Sequence, residues 1–196
     1  MTRSVLRSLA LGFALLAPAP LAAQLRPAPE MDEALRGAAG AEALNAPPAA
    51  LAFAERRLTT DCEVGENPVP VPELTPPQRA ALLTWLSSVA HQGPPVPLLA
   101  PRVATEYTQL RVRAEWARTQ PDNPVVRGSA LTRPDFRPAT ALPGIIAREQ
   151  VRMRVRAAAT LFELDPRAAA VLLRDLEADP LIGPVLRRMP GWPAPR

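Results

Sequence analysis

The chain of 196 residues is basic: 23 Arg and no Lys face 19 Asp and Glu, with one His, one Cys, 26 Pro and 4% aromatic residues. One His and one Cys cannot build a zinc site of the usual kind. Neither a Cys-x-x-Cys-His haem motif nor a Gly-rich phosphate loop is present, so no metal and no cofactor is expected.

The first segment reads as a secretory signal peptide over residues 1–23. Arg3 and Arg7 give a positive start, Leu9 to Leu16 an apolar run, and Leu21-Ala22-Ala23 the small residues of a cleavage site. Cleavage is expected after Ala23, with Ala22 as the alternative. Cleavage after Ala19 would leave Pro20 next to the cut. The competing reading is a membrane anchor, but the run falls far short of the roughly 20 residues that span a bilayer. Gln24 stands where a lipoprotein would need Cys. The expected location is therefore periplasmic or secreted, with no transmembrane segment after cleavage. Removing Arg3 and Arg7 leaves 21 Arg against 19 acids. Residues 24–99 hold 5 Arg and 9 acids, and residues 100–196 hold 16 Arg and 10 acids. The basic second half fits either an acidic partner or an ordinary solvated face.

Residues 24–47 are rich in Ala and Pro, with Gly37 and Gly40, and read as a loosely ordered arm before a single helical domain over 48–196. Pro48 to Leu58 has the spacing of a short helix, with Leu51, Ala54 and Leu58 on one face. A loop follows, extended at Pro68-Val69-Pro70-Val71-Pro72. It contains Cys62 between Asp61 and Glu63. Those carboxylates disfavour a thiolate, so a buried or inert thiol is expected.

Thr75-Pro76-Pro77-Gln78 is a capping box with Pro at the first helical position, and predicts a helix over 75–91 ended by Gly93-Pro94-Pro95. A second helix is expected over 102–119, with Val103, Tyr107, Leu110, Ala114 and Ala117 inward. Residues 120–143 carry five Pro and no clear period, and read as a functional or mobile loop. A helix over 146–163 is expected to turn Val151, Val155, Ala158 and Phe162 inward. Asp165-Pro166 then starts a helix over 166–178, and Asp179-Pro180 a last short one carrying Ile182, Val185 and Leu186. No segment alternates as a strand does, so the predicted fold class is all-α, about five helices with Pro-rich loops.

Arg154, Ala157, Ala158, Leu161, Leu164 and Asp165, followed by Pro166, Leu172, Leu176 and Asp179, resemble one unit of a HEAT-type helical repeat. The resemblance covers about residues 147–189, the expected C-terminal hairpin being 146–189. Met153 stands where Val is usual, the Asp comes one residue early, and no second copy follows. The resemblance implies an interaction role and carries over no catalytic residue.

His91 is expected in the last turn of its helix, where it can satisfy free carbonyls; Ser87 and Ser88 beside it do not make an orienting triad. Glu106, Glu115, Glu149 and Glu163 fall on predicted helices and read as exposed carboxylates, although such groups could serve a glycosidase. Arg148, Arg152 and Arg156 recur every four residues with Arg154 alongside, and are the candidate binding residues. The row is expected to face solvent. It would dock on Asp61, Glu63 or Glu66 of the same chain, or grip an acidic partner or lipid headgroups. Nucleic acid is excluded by export and by the scarcity of interleaved aromatics. Trp85 fits a packed face, and Trp192 in Gly191-Trp192-Pro193 either docks back on the domain or reaches a partner.

These features point to an exported, non-catalytic interaction or accessory protein of the bacterial cell envelope that binds a protein. The alternative is a carboxylate-dependent periplasmic hydrolase or lyase acting on a glycan. N-terminal sequencing of protein recovered from the envelope should give Gln24 or Ala23 as the first residue; an intact Met1 on cytoplasmic protein would contradict export.

Overall fold

The computed structural model of the chain describes residues 29–38, 40–60, 70–189 and 191–192. The export signal with Ala22 and Ala23, Gln24, Asp61, Cys62, Glu63, Glu66 and Pro193 lie outside the described residues. The fold is all-α. Its helices are α1 (Pro29–Arg36), α2 (Pro48–Thr59), α3 (Pro76–Gln92), α4 (Val96–Thr119), α5 (Leu142–Leu164), α6 (Pro166–Leu172) and α7 (Gly183–Leu186). Short 3-10 turns occupy Ala130–Thr132, Pro138–Ala141 and Arg174–Ala178, and no strand occurs among the described residues.

Local start signals act where the sequence places them. The Thr75 N–H donates to Gln78 Oε1 at 2.9 Å, and Pro76 and Pro77 open α3 at positions whose missing N–H groups leave no acceptor unserved. Asp165 Oδ1 accepts from the N–H groups of Arg167 and Ala168 at 3.0 and 2.9 Å. Asp179 Oδ1 accepts from Leu181 and Ile182 at 2.8 and 3.0 Å. Gly93, at φ 95°, ends α3 in a conformation open to glycine.

Helix α5 is the axis of the molecule and packs against α1, α2, α3, α4, α6 and α7. Its N-terminal half gives Leu142, Ile145 and Ile146 to a core shared with Met31 and Leu35 of α1 and Leu99, Val103 and Tyr107 of α4. Its C-terminal half gives Ala157, Ala158 and Leu161 to a larger core built from α2, α3, α6 and the C-terminal turns. A helix enclosed on several sides has no single apolar stripe. The buried positions are Leu142, Ile145, Ile146, Glu149, Met153, Ala157, Ala158, Thr160 and Leu161. The expected inward stripe is corrected accordingly: Ala158 is buried, whereas Val151, Val155 and Phe162 are only half-buried.

Two helix boundaries differ from expectation for identifiable reasons. Helix α4 begins at Val96 rather than near 102, with Pro101 inside it. Leu99 and Val103, one turn apart, are both sealed in the second core, and that packing carries the helix through a residue that cannot donate. The helix expected over 166–178 breaks after Leu172 into a 3-10 turn. Three residues per turn put Leu173 and Leu176 on one side, and both are buried.

Residues 29–38 and 40–47 pack on the domain. Met31 and Leu35 enter the core, and the Ala41 N–H donates to Gly93 O at 2.9 Å. A Cβ on Gly40 would collide with the Pro94 carbonyl, whereas one on Gly37 would meet only ordinary contact. Gly40→Ala should therefore cost about 1–3 kcal/mol by chemical denaturation, while Gly37→Ala stays within about 0.5 kcal/mol. Equal effects would place the constraint elsewhere.

Candidate functional site

The four candidate arginines lie on α5, but they do not share one environment. A row spaced every four residues advances about 40° around a helix at each step. On an enclosed helix this carries it from the surface inward. Arg148 is at the surface with 56% side-chain exposure and faces Glu106 at 3.4 Å. Arg152 is partly covered and lies against Glu149. Arg156 donates through Nη1 to Leu58 O at 3.0 Å, at the C-terminal end of α2. Arg154, on the other side of α5, donates through Nε to Ala90 O at 2.8 Å and through Nη2 to Asp179 Oδ2 at 2.7 Å. The expectation of a solvent-facing row is thus corrected: Arg148 is at the surface, Arg152 pairs with Glu149 on the same helix, and Arg154 and Arg156 tie α5 to its neighbours. The acids named as its intramolecular partners, Asp61, Glu63 and Glu66, lie outside the described residues.

Glu149 is the residue that sequence reasoning misplaced. Its side chain is 0% exposed. Oε2 accepts from Arg102 Nε of α4 at 3.2 Å and from Arg152 Nη1 at 3.4 Å. Oε1 lies 3.1 Å from Arg152 Nη1 but off the line of its N–H, and accepts no hydrogen bond. Arg102 also donates through Nη1 to Thr59 O at 3.0 Å. Arg102 and Arg156 together cover the last carbonyls of α2, where cations meet the negative end of the helix dipole. The signal for Glu149 was its spacing. It stands three and four residues from Ile146, Ile145 and Met153, all buried.

Two of the other three predicted carboxylates also face arginine. Glu106 faces Arg148 at 3.4 Å and Glu163 faces Arg57 at 3.2 Å, while Glu115 is exposed on α4. No group of three or more His, Cys, Asp or Glu suited to a metal ion occurs among the described residues.

His91 sits where the sequence places it, at the end of α3. Its Nδ1 is 2.7 Å from Ser87 O, and its Nε2 is 2.9 and 3.0 Å from the two oxygens of Asp175. Both neighbours are acceptors, so both contacts are hydrogen bonds only in the imidazolium form. The hydrogen bond from His91 holds the Asp175 carboxyl below its ordinary value. For Asp179, burial pushes the carboxyl up, but the N–H groups of Ile182 and Leu181 and the Arg154 guanidinium outweigh it and hold it low.

Shallow grooves mark the surface formed by the described residues, and three of them bear on the candidate residues. One of 540 Å³ runs beside His91, Gly93, Gln150 and Arg154. A second, of 540 Å³, passes Glu42, Trp85 and Ser88. The third, of 430 Å³, lies between α4 and α5 and is lined by Arg113 and Arg148 over Leu110 and Ile145, with Glu106 its single acid. Glu149 opens on none of them. Trp85 is buried and donates to Glu42 O at 2.9 Å. Trp192 docks back on the domain, 5.7 Å from the Phe162 ring, and donates to Glu177 Oε1 at 2.9 Å. No helix among the described residues is long and apolar enough to cross a membrane. No protein-family model, no curated protein and no solved structure matches the chain.

Arg156→Gln should lower stability by about 1–2 kcal/mol, because it removes a charge-assisted hydrogen bond at a helix end. Arg148→Gln should change it by less than about 0.5 kcal/mol. Denaturant titration of both variants checks this; equal losses would contradict the division.

A carboxyl held low in the folded state stabilises above its unfolded value of about 3.9, and that stability is lost as pH falls through the folded value. Wild-type stability should therefore fall below about pH 4. Asp179→Asn should be less stable at neutral pH and lose less on acidification. An acid limb of unchanged steepness in the variant would contradict the role of Asp179.

Proposed function

We propose that this chain is an exported, non-catalytic interaction or accessory protein of the bacterial cell envelope, periplasmic or secreted, that binds a protein partner. The observation that carries this reading is the groove between α4 and α5. Arg113 and Arg148 stand over an apolar floor of Leu110 and Ile145, with Glu106 as the single acid. Such a cleft accepts an acidic segment with apolar side chains, because the arginines supply charge-assisted hydrogen bonds and the floor supplies burial. Of the four candidate arginines, Arg148 is the one at the surface in this groove. Arg154 and Arg156 act on the partner indirectly, by fixing α5, and Arg152 by holding the Glu149 carboxylate. The likeness of residues 147–189 to a HEAT-type unit supports the same reading, since such units generally bind proteins.

The alternative, a carboxylate-dependent hydrolase or lyase acting on a glycan, draws less support. It requires two carboxylates facing each other across a cleft, and Glu106, Glu149 and Glu163 each face an arginine.

The test is affinity capture from the native envelope with wild type and with Arg113→Gln/Arg148→Gln. The wild type should retain a partner at low ionic strength and release it as salt rises. The double variant, equally stable, should lose it at low salt. Unchanged capture would overturn the groove assignment, and cleavage of a purified glycan by the wild type would overturn the non-catalytic reading.

A further inference from the structure

Helix α4 is apolar on two opposite sides. Val103, Tyr107, Ala114 and Ala117 are buried against the domain. Val112 and Trp116, four residues apart, stand at 60% and 40% exposure on the other side. At 100° per residue, Val112 and Ala114 point about 200° apart. The segment after α4 folds back against its end. Arg118 Nη2 donates to Phe136 O at 3.1 Å, and the turn Ala130–Thr132 packs on α4. Val126 in that segment is buried, while Val125 beside it is 81% exposed. The same end of the molecule carries six exposed arginines: Arg111, Arg113, Arg118, Arg127, Arg133 and Arg137. Three exposed acids, Glu115, Asp122 and Asp135, oppose them, leaving a net charge of +3 over residues 109–137.

We infer that this end of the molecule docks on an anionic lipid surface. Trp prefers the boundary between headgroups and acyl chains, where its ring is buried and its N–H stays wet. Val112 and Val125 add apolar contact, and arginines can lay their stems along the interface while their guanidinium groups reach phosphates. Val112, Trp116 and Val125 line none of the three grooves described above. A lipid surface asks for no shaped cleft, only exposed apolar side chains among positive charges, and this end of the molecule supplies both. The inference goes beyond the groove between α4 and α5; the two share Arg113, and Arg148 plays no part in it.

The test uses the full chain with vesicles of brominated phosphatidylglycerol, and with brominated phosphatidylcholine as the uncharged control. Trp85 is buried and Trp192 is docked, so quenching by the anionic vesicles should fall on Trp116. It should be several-fold weaker on the uncharged vesicles and in high salt, and should vanish in Trp116→Phe. Replacing both exposed side chains, Val112→Ser/Trp116→Ser, should lower vesicle partitioning about tenfold while leaving the circular dichroism unchanged. Partitioning without quenching of Trp116 would assign the binding to another segment and overturn the inference. So would the absence of quenching together with a protein adduct, a second copy of this chain included, from a photo-crosslinker placed at position 116. Loss of capture in Arg148→Gln alone, with Trp116 quenching intact, would leave this inference standing without the groove reading.

Discussion

A carboxylate with no exposed surface lies in the middle of the central helix, between two apolar cores. Removing Glu149 from water is unfavourable, and in isolation would cost several kcal/mol. Arg102 and Arg152 compensate by hydrogen bonding to the charge in a setting of low dielectric. The geometry has wide consequences. Arg102 reaches Glu149 from α4 and continues to the last carbonyl of α2, so one guanidinium joins three helices at the junction of both cores. Without Glu149, Arg102 and Arg152 would be partly buried cations, and the ends of α2 and α4 would lose their common fixed point. Such a pair adds less to net stability than a well-packed apolar pair would, but it is selective. Sliding or rotating α5 by one residue would strand the charge.

Four other arginines extend the same principle. Arg156 caps α2, Arg154 caps α3, Arg79 donates to Leu164 O at the end of α5, and Arg187 donates to Glu177 O. Each delivers a cation from one element to the carbonyl end of another, where free acceptors and the helix dipole both favour it. Short helices punctuated by proline have many ends, and every end leaves carbonyls to be satisfied. The abundance of arginine in this chain therefore has a structural use as well as a surface one. Other arginines stay exposed, on α4 and the segment after it, at Arg148, and on other elements, as Arg36, Arg56 and Arg167 do.

What the sequence disclosed was local. Thr75, Asp165, Asp179 and Gly93 act through atoms a few residues away, so their roles follow from spacing alone. The cap formed by His91 on Ser87 O was legible for the same reason, while its second partner, Asp175, is 84 residues distant and had no local sign. The inward face of α5 was misjudged because periodicity was sought in apolar residues only, and the true face runs through Glu149. The row of arginines was judged solvent-facing by the same logic, which assumes a helix packed on one side. On a helix surrounded by six others that assumption fails, and neighbouring helix ends decide where charges are wanted. The break in the helix after Leu172 likewise reflects the burial of Leu173 and Leu176, a tertiary demand with no propensity signal.

The central claim is that Glu149 and Arg102 stabilise the fold as a pair. A double-mutant cycle in denaturant with Glu149→Gln, Arg102→Gln and the combined variant tests it directly. If the pair joins the cores as described, each single change costs about 2–4 kcal/mol and the combined variant costs markedly less than their sum, with a coupling of about 1.5 kcal/mol or more. Additivity within about 0.5 kcal/mol would contradict it.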